Sequence, residues 1–335
     1  MKVTSFVIYS IILLASIVKS QKACNGYVEF CDRLYSDIAY VTTHNSYAAG
    51  KQASANQNFN VSIQLKDGVR GLMLNSVFPD DNPKELHLCH GSCNLFDAGP
   101  AVNTLTTIAE WLNENPNEVV TIIWENNANV PTSVFNDVYM QSGLDKFGHV
   151  QEDGNWPSLA KMIDNDKRLV NFINPSSDGT IPWLMKEFDY VFETPFENTN
   201  PNAWQCTIDR PKGTQLPLYV LNHFLYSSLL PPFSSGGEQI ELPQPGLANV
   251  TNSASLAGHA QQCQQTFNRI PNFVAVDFYD QGGNDGQNVF SIVAELNRVK
   301  YSQNIKNAAQ PSGSLSNVDA FIGLASIGTL AMFVL

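Results

Sequence analysis

Eight short apolar runs, most of them ending in a polar or ionisable side chain and separated by longer amphipathic stretches, recur between residues 24 and 300. They are residues 38–43, 69–75, 86–90, 119–125, 168–174, 190–194, 218–224 and 273–279. Strands that alternate with helical segments form a parallel sheet with helices packed on it, and eight such units close into a barrel. The spacing Val102, Leu105, Ile108, Ala109 and Leu112, stopped by Asn115-Pro116, predicts one of these helices, and residues 285–298 predict another. No repeat of 20 to 50 residues competes with this reading. The Pro/Gly/Ser-rich stretch 230–245 reads as a long loop over one rim. The expected fold is α/β, a single (β/α)8 barrel of about 280 residues.

Side chains on a strand alternate between faces, so each run can be tested for what it sends inward. The second gives Val69, Gly71, Met73 and Asn75, and the third Leu86, Leu88 and His90. The fourth gives Val119, Thr121, Ile123 and Glu125, the seventh Tyr219, Leu221 and His223, and the eighth Phe273, Ala275, Asp277 and Tyr279. Their polar ends converge on the carboxyl-end rim, where barrel enzymes carry their chemistry, and His44 follows the first strand to the same place. His44 and His90 on one rim fit a general base and general acid, with Glu125 and Asp277 available to orient them.

Other chemistries fit less well. His87, Cys89, His90 and Cys93 resemble a zinc set, but on a strand His87 and Cys89 face away from His90. Neither Ser46 nor Ser92 sits in the Gly-x-Ser-x-Gly elbow of a serine hydrolase. With 19 basic against 31 acidic side chains, a net charge of −12 and no Lys/Arg run, nucleic-acid binding is excluded.

Both ends read as processing signals. Residues 1–20 have a short positive start, an apolar stretch from Phe6 to Val18 and a small-residue cleavage site, as in a secretory signal peptide. Residues 307–335 hold small residues from Asn307, a polar spacer and an apolar tail from Ala320, the order of a GPI-attachment signal. The tail's 16 residues fall short of the roughly 20 that span a bilayer. The expected mature domain is 21–306, extracellular and held at the membrane by a lipid attached near Asn307. Its six cysteines allow 15 pairings, and nearness favours Cys24 with Cys31, Cys89 with Cys93, and therefore Cys206 with Cys263. Sequons at Asn60 and Asn249 add glycan acceptors. The acidic charge leaves membrane contact to the anchor and to apolar loop residues such as Leu229, Leu230 and Phe233. Nothing in the sequence specifies an oligomer.

Thr43-His44-Asn45-Ser46, Gly68-Val69-Arg70-Gly71-Leu72-Met73-Leu74, Leu88-Cys89-His90, Thr121-Ile122-Ile123-Trp124-Glu125, Leu221-Asn222-His223-Phe224 and Asn272 to Tyr279 occur in a characteristic order. In that order they resemble the X domain of phosphatidylinositol-specific phospholipase C, most of all its secreted, often GPI-anchored fungal and plant branch. The resemblance covers about residues 24 to 300. It implies a distorted (β/α)8 barrel and phosphodiester chemistry on an inositol phospholipid or a related small phosphodiester, with His44 and His90 as the catalytic pair. Asn45, Asn75, Glu125, Arg210, His223, Asp277 and Tyr279 are the expected supporting or substrate-binding residues.

Calcium is the one cofactor the resemblance raises. Calcium-dependent relatives use an Asn, two acidic residues on the second strand and a Glu on the fourth. Asn45, Met73, Asn75 and Glu125 stand there, so the candidate ligands reduce to Asn45, Asn75 and Glu125 with one carboxylate among them. The Arg by which bacterial relatives replace the metal is also missing, since Asn75 occupies its place and Arg70 points outward on the period-two reading. Arg210 is the remaining candidate cation. The competing reading is a surface glycoprotein that keeps the barrel as a binding scaffold with weak or no catalysis.

Overall fold

The computed structural model describes residues 22–301 apart from 81, 83, 176 and 230–239. The expected signal segment, Asn307, the C-terminal tail, Leu230 and Phe233 lie outside the described residues. The strands are β1 (Tyr40–Thr43), β2 (Gly71–Val77), β3 (His87–Cys89), β4 (Asp97–Pro100), β5 (Val120–Glu125) and β6 (Leu169–Asn174). They continue with β7 (Leu184–Lys186), β8 (Val191–Glu193), β9 (Leu218–Asn222), β10 (Tyr226–Leu229), β11 (Ile240–Pro243) and β12 (Phe273–Val276). The α-helices are α1 (Val61–Asp67), α2 (Ala101–Glu114), α3 (Thr132–Ser142), α4 (Leu159–Asp164), α5 (Glu187–Tyr190), α6 (Ala248–Val250), α7 (Leu256–Phe267) and α8 (Val289–Leu296).

Eight of the strands pair in the order β7-β6-β5-β2-β1-β12-β9-β8, all parallel. The first and last strands of the chain are neighbours, so the sheet curls round on itself. Its two ends, β7 and β8, are joined by the short helix α5. The fold is a (β/α)8 barrel of the distorted kind, interrupted at one seam.

The alternation is visible in the packing. Tyr40, Met73, Ile123, Phe172, Val220, Phe273 and Ala275 fill the barrel interior. Their neighbours Val41, Leu72, Leu74, Ile122, Trp124, Leu221 and Val274 face outward against Leu105, Ile108 and Leu112 of α2 and Ile292 of α8. Thus α2 forms where the 3.6-residue stripe is, and α8 starts where Asn288 and Ser291 close a reciprocal capping box.

Three expectations are corrected. Residues 86–90 do not supply a barrel strand: β3 pairs antiparallel with β2 and β4, and β7 takes the vacant place in the barrel. A three-residue strand buried at two positions carries too little periodicity to be found from its pattern. On β9 the inward face is Leu218, Val220 and Asn222, opposite to the expected Tyr219, Leu221 and His223. All five residues of β9 are buried, so apolar character does not tell the two faces apart. Finally, the later part of the expected loop 230–245 is a strand: β11 pairs antiparallel with β10, which precedes the loop, with Tyr226 opposite Pro243 and Ser227 opposite Leu242.

All three disulfides join the expected cysteines: Cys24–Cys31, Cys89–Cys93 and Cys206–Cys263. Asn60 and Asn249 are exposed, and Asn60 also caps α1 by accepting from the Ile63 amide. Among the described residues no helix is long and apolar enough to cross a membrane.

Gly71 is where β2 approaches β1 most closely. A Cβ there would overlap Thr42 Oγ1 and lie 2.8 Å from Thr42 Cγ2. Gly71→Ala is expected to cost about 1–3 kcal/mol in urea unfolding, from overpacking a filled interior. Adding Thr42→Ala, which removes both atoms, should recover part of the loss.

Candidate active site

The inward alternation carries polar side chains to the carboxyl ends of the strands, and there they surround a cavity of about 660 Å³. His44, Asn45, Asn75, His90, Glu125, Arg210 and Asn222 line it, together with Phe196, Phe224, Tyr226 and Glu241.

His44 follows β1 directly. Its backbone amide donates to Val276 O on β12, continuing the pairing of the two strands, and its Nδ1 lies 3.0 Å from Asp277 Oδ1. Asn56 Nδ2 sits 3.1 Å from both Asp277 oxygens and so fixes the carboxylate. Phe224 stacks flat on the imidazole, with centroids 3.7 Å apart and the planes inclined by 5°. Nδ1–H therefore donates to Asp277, and Nε2 is the nitrogen left for a substrate. Burial is the largest single influence and disfavours the imidazolium, but the Asp277 carboxylate, with Glu125 and Glu241 behind it, outweighs burial and raises the His44 pKa above the ordinary histidine value.

His90 is held differently. Its Nδ1–H donates to Ser54 O at 2.7 Å, again leaving Nε2 for the cavity, and the Cys89–Cys93 disulfide pins the turn behind it. Here burial dominates over the Ser54 bond and His44 adds repulsion, so the pKa is lowered. The two imidazoles differ in proton affinity because one faces a carboxylate and the other a neutral carbonyl.

Arg210 reaches the cavity from a loop, because residues 209 and 210 pair with Glu193: Glu193 N donates to Arg210 O at 2.7 Å and Asp209 N to Glu193 O at 2.9 Å. Its guanidinium donates to Glu193 Oε2 at 2.8 Å, lies 3.8 Å from Glu125 Oε1 and stacks 4.3 Å over Phe196. Burial works against its charge, but Glu193 and Glu125 more than compensate and raise its pKa. Behind this pair, Glu187 accepts from Asn174 Nδ2, and burial followed by repulsion from Glu193 holds its carboxyl well above the usual range.

The remaining sequence candidates divide. Asn45, at φ 42°, and Asn75 line the cavity, while Asp277 acts through His44. His223 is turned away: its Nδ1 lies 2.9 Å from His259 Nδ1, its Nε2 3.0 Å from Thr251 O, and Trp204 stacks on it. Tyr279 is also off the cavity, donating to Asp67 Oδ2 at 2.9 Å. The strand ends at Val276, and Phe278 at φ 46° turns the chain, so the period-two extrapolation fails beyond Asp277. Arg70 packs outside the barrel, bound to Glu118 and stacked on Trp111, as expected. Sequence reasoning missed Asn222 and Glu241. The inverted face of β9 hid the first, and the second arrives on β11, within a stretch expected to be loop.

Calcium does not fit this residue set. Asn45, Asn75 and Glu125 offer one carboxylate, Met73 contributes a thioether, and the carboxylate already faces the guanidinium of Arg210. Nor do the cysteine clusters offer zinc ligands, since Cys89, Cys206 and Cys263 are in disulfides.

The family model described as PI-PLC X 1 matches residues 30–291. A protein of Arthroderma benhamiae named PI-PLC X domain-containing protein 1 is 35% identical over 271 residues, covering 77% of this chain and 86% of that protein. A second protein of that organism, named only as an uncharacterized secreted protein, is 34% identical over 84% of this chain. The chain spans 65% of that protein's length. An Arabidopsis thaliana PI-PLC X domain-containing protein is 28% identical over 313 residues, covering 85% of this chain and 68% of its own. Among solved structures, a mutant of the phosphatidylinositol-specific phospholipase C of Staphylococcus aureus superposes with a TM-score of 0.56 at 13% identity, covering 84% of this chain and 99% of that one. At that identity the likeness is one of fold.

Two outcomes follow from this geometry. In an NMR titration of the ring nitrogens, His44 should titrate above and His90 below the ordinary value of about 6.5, and Asp277→Asn should bring His44 down because the burial penalty is then opposed only by the more distant Glu125 and Glu241 carboxylates. Calorimetry should show no calcium binding tighter than millimolar, the weak end of the range for calcium sites.

Proposed function

Because the chain belongs to the PI-PLC X family, we propose that it is a phospholipase-C-like phosphodiesterase that cleaves an inositol phospholipid with His44 as general base and His90 as general acid. The observation that carries this reading is the pair itself: two imidazoles line one cavity, each anchored through Nδ1. His44 Nε2 takes the proton of the inositol 2-hydroxyl as that oxygen attacks phosphorus. The bond from phosphorus to the glycerol oxygen breaks, and His90 Nε2 supplies that oxygen with a proton. The products are diacylglycerol and a cyclic inositol phosphate. Asp277 stabilises the imidazolium that forms on His44, and Arg210 is the cation available to the phosphate oxygens. No step calls for a metal.

The shifts make the reactive protonation state the minor one. His44, with the raised pKa, must be neutral, while His90, with the lowered pKa, must be protonated. The dependence of kcat/KM on pH is therefore bell-shaped, with the acid limb set by His90 and the alkaline limb by His44.

The mature domain, 21–306 on this reading, works outside the cell at a membrane surface, held there by a GPI anchor near Asn307. The support is the apolar N-terminal stretch, the tail pattern, three disulfides and a relative named as secreted. The second reading, a binding scaffold with little turnover, is favoured by Met73 and Asn75 standing where calcium-dependent relatives carry acidic residues.

Phosphorus-31 NMR of the protein with phosphatidylinositol separates the two. A cyclic inositol phosphate signal is expected, unchanged by a chelator and lowered by roughly 10²–10⁴-fold in His44→Ala and in His90→Ala. Asp277→Asn should lower the rate and also move the alkaline limb to lower pH. Full activity in His44→Ala would overturn the histidine assignment, and no product from the folded wild-type protein would favour the scaffold.

A further inference from the structure

Beyond the end of β9 and outside the cavity, two buried histidines touch each other. His223 Nδ1 lies 2.9 Å from His259 Nδ1 on α7, His223 Nε2 lies 3.0 Å from Thr251 O, and His259 Nε2 lies 3.3 Å from Gln205 O. Three such contacts in a row need three hydrogens, and two neutral imidazoles carry two. Burial lowers the pKa of both rings, with repulsion from His259 added at His223, so the pair is neutral in neutral solution. One contact therefore lacks a hydrogen, and the longer separation at Gln205 marks it. His223 Nε2–H donates to Thr251 O, His259 Nδ1–H donates to His223 Nδ1, and His259 Nε2 is bare. The donations run one way, from His259 through His223 to Thr251, and in a buried site each polarises the next.

The turn that receives this relay stands beside the His44–Asp277 couple. Thr251–Ser255 is irregular, with Asn252 and Ser253 outside helical φ/ψ, so its place depends on what is bonded to it. Asn252 Nδ2 donates to Asp277 O at 2.8 Å and to Phe278 O at 2.9 Å, and so clamps the backbone that carries the Asp277 carboxylate. Trp204 stacks on the His223 ring with centroids 3.7 Å apart and donates through Nε1 to Ser255 Oγ at 2.9 Å, which fastens the far end of the same turn. An apolar side chain at 223 would fill the space but would not tie β9 to the turn.

We propose that His223 and His259 form a positioning pair for the catalytic couple, a one-way hydrogen-bond relay that holds the turn 251–255 and, through Asn252, the Asp277 carboxylate against His44. For turnover this rests on the reading of His44 as the general base. For the proton affinity of His44 it rests on geometry alone.

The test is nitrogen-15 NMR of the histidine rings in the full chain, wild type, His223→Leu and His223→Gln, beside their kinetics on phosphatidylinositol. Gln keeps a donor for Thr251 O and Leu does not. The amide of residue 223 donates to Ala275 O whatever its side chain, so Phe224 keeps its stack on His44 and the variants change the turn. In the wild type His223 should carry its hydrogen on Nε2 and His259 on Nδ1. In His223→Leu, shown to be folded by circular dichroism, His44 should titrate lower by a fraction of the roughly 1–3 that a neighbouring opposite charge is worth. Its kcat should fall roughly tenfold, the equivalent of one hydrogen bond, with KM little changed, and His223→Gln should recover most of both effects. A purely structural role would lower thermal stability and leave the His44 titration where it is. An unmoved His44 titration in folded His223→Leu, an equal loss in His223→Gln, or hydrogens on the same ring position of both wild-type histidines would overturn the proposal. The wild-type hydrogen positions decide it if the Leu variant does not fold. Failure of the catalytic reading looks different: no cyclic phosphate from the wild type, while His44 still titrates lower in His223→Leu, would remove the general base and leave the positioning pair standing.

Discussion

The pairing of β1 with β12 holds the site together, because it sets residues more than 230 positions apart in register at the ends of adjacent strands. Tyr40 lies opposite Phe273 and Thr43 opposite Val276, so the next residues, His44 and Asp277, meet at the rim. The same register carries the amide of His44 to Val276 O, and Gln57 Nε2 bridges His44 O and Val276 O. Backbone hydrogen bonds in a buried sheet are not readily given up, so the distance from His44 to Asp277 is set by the sheet and not by the two side chains. A one-residue slip of β1 against β12 would turn His44 away from Asp277 and the cavity.

Around that contact the two histidines are tuned in opposite directions by ordinary means. Both are largely buried, which alone would lower both, and what separates them is the acceptor at Nδ1: a carboxylate for His44 and a backbone carbonyl for His90. The opposite wall follows a similar economy. One carboxylate, Glu193, accepts from both the Arg210 guanidinium and the Asn222 amide. The cavity lining sets the one guanidinium of Arg210 beside Glu125 and adds a second carboxyl group, Glu241. Burial, followed by the neighbouring carboxylates Glu197 and Glu125, pushes the Glu241 carboxyl up.

Much of this was legible before the structure. The inward series ending in Asn75, Glu125 and Asp277 agrees with the structure, in which Met73, Ile123, Phe273 and Ala275 fill the barrel interior, Asn75 and Glu125 line the cavity and Asp277 holds His44. The series ending in His223 is inverted because β9 is apolar on both faces. His90 reached the cavity although its segment is not a barrel strand, since β3 runs back along the extended end of β2 and delivers it to the same rim.

The linear order of residues is enough to determine the (β/α)8 class and the nearest-neighbour disulfides, because these depend on local periodicity and short spacing, and it singles out His44 and His90 as candidates. Only the tertiary structure decides that Arg210 faces Glu125 where a metal would otherwise be sought, that His223 pairs with His259 instead of a substrate, and that Asn222 and Glu241 enter the cavity. Each of these depends on how a loop or a doubly buried strand docks across a long separation. The free energy of that docking comes from contacts that no local pattern in the chain records.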